Sequence, residues 1–348
     1  MCWLSFAAGH KVIGQFWEGV AMRIWLWAIV AAGLAGAVSW GGSAALVAGA
    51  RTGFAEIAAQ GQGSVEDVSA KGFPLAIGAR AQGVRLTDPA QGFAWTIPEL
   101  TLSAPLWAPL TWRVDLSALQ DITVGGVPFT LTTDQAFARV SFGAGRDLPL
   151  RGGAVRITNA SLEMVVASIP SFSVTAFELV AQAGDAEGRY QIKGGAEALT
   201  LPPQLIATLA PQAGFPATVE QLSVAGQLGF AEPLAVLKDT PPILQVLDLE
   251  KVALSWGGHR LAVSGALTLS PAGEPEGTLT LAVSDWQNWL ALAQGAGLVP
   301  QERLPMVQAF AQGLANQSAD GVIRLPLSFA GGLMFFAGLP LGPTPRLR

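Results

Sequence analysis

The chain has 348 residues, of which only 13% are Asp, Glu, Lys or Arg, against roughly 25% in an ordinary soluble domain; 51% are hydrophobic and the mean hydropathy is +0.43. That length supports one large domain or two ordinary ones with ample core, and a net charge of −5 without a dense Lys/Arg cluster argues against nucleic acid as a partner. The single cysteine, Cys2, excludes an intrachain disulfide, and having only His10 and His259 excludes a histidine-rich metal site.

Residues 24–50, IWLWAIVAAGLAGAVSWGGSAALVAGA, carry no charge and lie between Arg23 and Arg51. About 20 such residues cross the hydrocarbon core of a bilayer, so the run predicts a transmembrane helix over 24–42 within an anchor assigned to 22–50. Trp25, Trp27 and Trp40 lie towards its ends, where indole rings favour the interface. A small N-terminal side and a large strand-rich remainder predict a single pass with the N-terminus inside and the body outside. The small residues AGA at 48–50 also fit a signal-peptidase site, but the apolar run is longer than a usual signal core, which favours an uncleaved anchor. Residues 1–21 are either a short cytoplasmic segment or precede the true start, because MRIWLWAIVAAG at Met22 has the form of a complete membrane-segment start.

After the anchor, residues 51–63 predict a helical stalk that stops near Gly61 and Gly63. Strands then dominate a body assigned to 64–335, followed by a tail over 336–348. Leu75, Ile77, Ala79 and Ala81 alternate with Ala76, Gly78, Arg80 and Gln82; the phase then shifts to Val84 and Leu86, with Gly83 as a bulge between the two halves. The period-two signal recurs at Trp112, Val114 and Leu116 and at Val127, Phe129 and Leu131. Further strands are expected within 153–166, 172–180, 188–193, 219–230, 251–256, 260–269, 277–283 and 322–329. Short Gly-, Pro- and Asp-rich connections such as VGGVP, GAGRD and PAGEPEG join successive antiparallel strands most simply.

Two late helices interrupt the strands. One starts at Asp285 as N-cap; the other, from Pro300, places Leu304, Val307, Phe310, Ala311 and Leu314 on one stripe despite Pro305. Both are expected to cover one side of a sheet. Residues 234–247 stay ambiguous because Pro241 and Pro242 break a helix there. The fold class is therefore mainly β with a few helices, an extended, curved, mostly antiparallel sheet after the N-terminal helix. Two halves near 64–200 and 215–335, or one continuous sheet, fit equally well.

The chemistry-bearing residues read mostly as structure. Asp67, Asp88, Asp115 and Asp121 invite a search for paired carboxylates, yet Asp88 precedes Pro89 in a turn and Asp115 occupies the polar side of its strand. His259 in WGGHRL lies at or after a turn, and no motif specifies a partner for it. The Gly pairs at 125–126, 152–153, 257–258 and 331–332 lack the strand, turn and helix context of a phosphate loop. No cofactor, metal or catalytic residue is expected, and the protein reads as a non-enzyme.

The sequence MRIWLW with its apolar run, and then SVEDVSAKGFPLAIGARAQGVRLTDPAQGFAW, resembles the DUF2125 family of alphaproteobacterial envelope proteins from Met22 to the C-terminus. The resemblance implies a bacterial inner-membrane protein with a cytoplasmic N-terminus and a β-rich periplasmic body. The later stretch from LSWGGHRLAVSGALTLS to GVIRLPLSFAGG is similar in layout to AsmA-like envelope proteins, which implies elongated sheets associated with phospholipid movement.

Two functional readings follow. In the first, an apolar groove on one face of the sheet binds phospholipid or another lipid, with Leu75, Ile77, Phe93 and Trp95 as groove residues, although core packing is the commoner role for such side chains. In the second, the body is a periplasmic interaction scaffold that engages another envelope protein without a lipid ligand.

Overall fold

The computed structural model describes residues 42–347 apart from 60, 73–74, 89–91, 166–169, 210–213, 236–241, 298, 300, 319, 337 and 345. The expected membrane span, except for Gly42, lies outside the described residues, as do Cys2 and His10. Among the described residues no helix is long and apolar enough to cross a membrane.

The described residues start with α1 (Gly42–Ala59), which stops where Gly61 turns with φ 70° and its N–H bonds Ala58 O at 3.0 Å. Ala50 and Phe54 on α1 are buried against the sheet, and Arg51 Nη2 donates to Val68 O at 2.8 Å. The helix is therefore part of the folded body across the residue 50–51 boundary, with Ala50 and Phe54 in the core and Val47 packed against it.

Two short strands, β1 (Gly63–Ser64) and β2 (Asp67–Lys71), both pair with β3 (Ala76–Asp88), which pairs in turn with β4 (Phe93–Pro105). Next come β5 (Thr111–Leu116) with β6 (Leu119–Val124), and β7 (Val127–Thr132) with β8 (Gln135–Phe142). Each of these pairs is one long strand broken in the middle: β5 and β6 both lie on β4, and β7 and β8 both lie on β9 (Leu150–Met164). From β9 the chain runs as a simple meander through β10 (Pro170–Ala183), β11 (Arg189–Thr200), β12 (Thr218–Phe230), β13 (Leu244–Trp256), β14 (His259–Leu269), β15 (Pro275–Ser284), β16 (Val322–Ala330), β17 (Leu333–Phe336) and β18 (Leu339–Pro343). All 18 strands of the described residues belong to one antiparallel sheet. The two halves expected near 64–200 and 215–335 are joined without interruption by the β11–β12 ladder.

The remaining helices are α2 (Pro203–Leu209), α3 (Trp286–Gly295) and α4 (Leu304–Gln317), all at one end of the strands. Pro305 is tolerated because it falls in the first turn of α4, where its missing N–H has no helical acceptor. The expected N-cap at Asp285 is occupied differently: Asp285 takes the left-handed conformation (φ 52°) and makes no side-chain cap bond, because its carboxylate is held by His259.

The phase shift at Gly83 is one point of a longer seam. Gly83 has φ 59°, and a Cβ there would meet the Glu66 side chain. In line with it, Ser117 N bonds Glu99 O at 2.9 Å, Thr133 N bonds Ala118 O at 2.8 Å, and Asp134 N bonds Thr158 O at 3.0 Å. Asn159 (φ 48°) and Ala198 (φ 50°) continue the seam in β9 and β11. The bulge expected at Gly83 does not form: Gln82 pairs with Glu99 and Val84 with Ile97 in one unshifted register, so both strands change phase together and apolar residues spaced by three, such as Ile97 and Leu100, stay on the same side.

Candidate functional site: an apolar sheet face

Directly paired residues on neighbouring strands share a face, so the registers trace rows across the sheet. One row starts at Ala79 and passes through Leu102, Val114, Ala138, Val155 and Leu179. It continues through Gly194, Val224, Val252, Val263, Leu281 and Leu325 without a polar side chain. At roughly 4.8 Å per strand step, this row covers roughly 50 Å along the sheet. A parallel row from Ile157 and Phe177 to Leu222, Leu254, Leu261, Val283 and Ile323 is equally apolar.

The opposite face is polar. It carries the ion pairs Arg80–Glu99 (3.1 Å), Arg113–Asp115 (2.7 Å) and Arg156–Glu178 (2.6 Å), all substantially exposed. Arg113 also lies 4.0 Å above the Phe137 ring, and its guanidinium pKa is raised chiefly by the hydrogen bond to Asp115.

Helices cover the apolar face at its two ends. At the N-terminal end, α1 packs over Val68, Ala79, Ala81, Val84, Ile97, Leu100 and Leu102. At the C-terminal end, α2, α3 and α4 surround Phe215, Val219, Trp256, Val283 and Ile323, with Phe215 4.5 Å from the Trp256 ring and 5.1 Å from Trp289. Between these clusters Ile157, Leu179, Ile192, Val224, Val252 and Val263 are only half-buried and belong to neither. This stretch, from Ile157 on β9 to Val263 on β14 and covered by none of the described helices, presents on the order of several hundred Å² of aliphatic surface, the scale at which an exposed patch has a role.

A strap closes one margin of that stretch. Leu150 N donates to Leu234 O (2.7 Å), and Pro149 bridges to Ala235. The only tyrosine, Tyr190, donates to Leu150 O (3.3 Å) and accepts from Leu234 N (2.9 Å). Burial raises the Tyr190 pKa, which keeps its hydroxyl a donor at neutral pH.

The four groove residues expected from sequence do not come together. Leu75 lies in the turn before β3, 67% exposed, whereas Ile77 and Trp95 both pack into the N-terminal cluster. Ile77 faces Ala104 and Trp95 faces Leu86, which places them roughly 30 Å apart along β4. Phe93 stands at the start of β4, two positions from Trp95, paired with Asp88. Trp95 Nε1 donates to Gln120 Oε1 at 2.9 Å, and Gln120, fully buried, donates in turn to Ser117 O. The central strands were expected as strands, but their apolar face was not singled out as a candidate site, because it differs from that of ordinary core strands only in carrying none of the described helices.

The carboxylates occupy separate structural contacts. Arg51 approaches Asp67 at 3.8 Å, Asp115 binds Arg113, and Asp121 accepts from Thr130 Oγ1 at 3.3 Å. His259 has partners that no motif announced. Its Nδ1 lies 3.2 Å from Asp285 Oδ2, its Nε2 lies 3.2 Å from Asn288 Nδ2, and Phe215 meets the ring edge-on. The nearby Ser284 Oγ is engaged by the Arg260 backbone, so these contacts tie α3 to the β13–β14 hairpin. Among the described residues no group of His, Cys, Asp or Glu is arranged to hold a metal ion.

A family model described as "Uncharacterized protein conserved in bacteria (DUF2125)" matches residues 42–345. The chain belongs to the DUF2125 family. The match begins at the first residue of α1 and covers the whole sheet, so helix and strands form the family's unit together. No curated protein and no solved structure matches this DUF2125 chain, and the AsmA-like resemblance is not shown by the family match.

Proposed function

We propose that this protein is a non-enzymatic, membrane-anchored bacterial envelope protein that binds lipid acyl chains on the uncovered apolar face between β9 and β14. The single observation that carries the reading is the continuity of that face, whose half-buried side chains are aliphatic and whose sheet backbone is already paired. Such a surface offers no hydrogen bond to an incoming peptide. It gains free energy from any hydrocarbon that displaces water, at roughly 25 cal/mol per Å² buried. Acyl chains meet that requirement without burying a polar group.

The uncharged run over residues 24–42 supports a tether to the inner membrane, with the body on the periplasmic side. Strand addition by a protein partner is disfavoured at both sheet edges. β18 contains Pro340 and Pro343, which lack N–H donors, and on β2 the Val68 carbonyl is taken by Arg51.

Native mass spectrometry of the full chain, released from gently solubilised membranes and paired with lipid extraction, tests the proposal. Stoichiometric phospholipid that is lost in Val252→Asp, while the folded charge-state distribution is kept, is the expected result. A folded, lipid-free chain at every level of activation would refute lipid binding and leave the scaffold reading.

A further inference from the structure

We infer that the tip formed by Leu75, Leu106 and Trp107 is a docking surface for the lipid bilayer. These residues are 67%, 52% and 77% exposed, the last an unusual state for an indole on a folded body. They form one patch, because Leu106 N donates to Leu75 O at 3.2 Å and Trp107 follows directly.

The direction of α1 places this patch beside the membrane tether. The C-terminal end of α1 meets the far end of β3, where Thr87 bonds Gly61 O and Gln62 O. Midway along the helix, Arg51 bonds Val68, which pairs with Ala81. The helix therefore runs from the Leu75 end of β3 towards the Asp88 end, and its first residue, Gly42, emerges at the Leu75 end. The chain that joins α1 there is uncharged from Ile24 onward.

A body tethered at that point presents the Leu75 end to the bilayer. One exposed tryptophan beside two exposed leucines is the composition that partitions into the headgroup and acyl boundary. Docking would hold the sheet with this end of its strands at the lipid surface. The inference rests on the membrane tether of the proposed function but not on occupation of the apolar face.

The test uses the full chain carrying Cys2→Ala and Trp107→Cys, labelled with an environment-sensitive fluorophore and reconstituted into phosphatidylethanolamine–phosphatidylglycerol vesicles. Leu119→Cys, at a mid-sheet position 52% exposed, is the reference. Doxyl-labelled lipid should quench the label at position 107, where iodide quenching is lost, with the opposite pattern at 119. Adding Leu75→Asp and Leu106→Asp should restore iodide quenching at 107 without changing the Tm, since neither side chain is in the core. Iodide access at 107 equal to that at 119, or shielding from both quenchers, would overturn the docking surface. Failure of the chain to float with the vesicles would overturn it together with the tether, while lipid co-purification reports on the apolar face separately.

Discussion

The apolar face under α1 and the apolar face between β9 and β14 are built from the same alternating aliphatic pattern and lie on the same side of one sheet, yet one is closed and the other open. Under α1, Val84 and Ile97 are 1% and 0% exposed, and every neighbouring row is packed. In the central strands, Leu179, Val224 and Val252 occupy equivalent positions and stay half-buried because none of the described helices packs on them. Alternation specifies which side of a strand is apolar; a covering element decides whether that side becomes core or binding surface.

The largest effect that separates the two regions is a cavity in the closed one. Ile97→Ala should cost about 2–5 kcal/mol of stability, against about 1 kcal/mol or less for Val252→Ala, where the side chain is already partly in water. Equal losses in urea titrations of the two variants would show that the central face is covered after all. The reverse contrast is expected for ligand retention, with lipid lost in Val252→Asp and kept in Ile97→Ala under conditions where both are folded.

Next in size is the buried polar link beneath the covered face. Gln120→Ala leaves the Trp95 indole N–H without its acceptor and should cost about 1–3 kcal/mol, read as a lower urea midpoint. Gly83→Ala should cost about 1–2 kcal/mol, since it places a Cβ at φ 59° against the Glu66 side chain; Glu66→Ala in the same chain should recover the steric part. Failure of Glu66→Ala to recover any of it would assign the whole cost to the backbone.

The smallest effect concerns pH at the C-terminal cover. Asp320 sits in the turn between α4 and β16, and its pKa is lowered well below the ordinary carboxylate range, chiefly by the hydrogen bond from Arg324 and then by Ser318 and the Val322 N–H. A depressed carboxylate stabilises the fold above its unfolded pKa, near 4, and loses that contribution as pH falls through the folded value. Asp320→Asn should therefore lower the Tm slightly at pH 7 and flatten its decline in acid, while leaving lipid retention unchanged. An unchanged acid limb would mean that the exposed turn contributes nothing measurable.

Much of the sheet was legible because period-two alternation survives in long strands. The expected segments 172–180, 219–230 and 260–269 fall inside β10, β12 and β14, and α4 follows the stripe expected from Leu304 to Leu314. β4, β6 and β8 escaped notice. In β4 the apolar phase changes between Ile97 and Leu100 around Pro98, and in β6 and β8 the buried side carries Gln120 and Ala136 where a large apolar residue would mark the period. Part of the candidate site was hidden for a different reason. Leu75, Ile77, Phe93 and Trp95 belong to one conspicuous motif, but antiparallel pairing spreads Ile77 and Trp95 along β4 instead of gathering them.

By itself the sequence determined the strand-rich class, the low charge, the uncharged N-terminal run, the change of apolar phase at Gly83 and the absence of a recognisable catalytic motif. These follow from local chemistry: side-chain alternation, backbone freedom at glycine and the length of an apolar run. Only the tertiary structure decided that the strands form one unbroken sheet, that α1 packs on it, and that the described helices leave the part of the face from Ile157 to Val263 uncovered. The physical reason is that cover is a relation between distant segments. An aliphatic side chain has the same local pattern whether a helix or water lies above it.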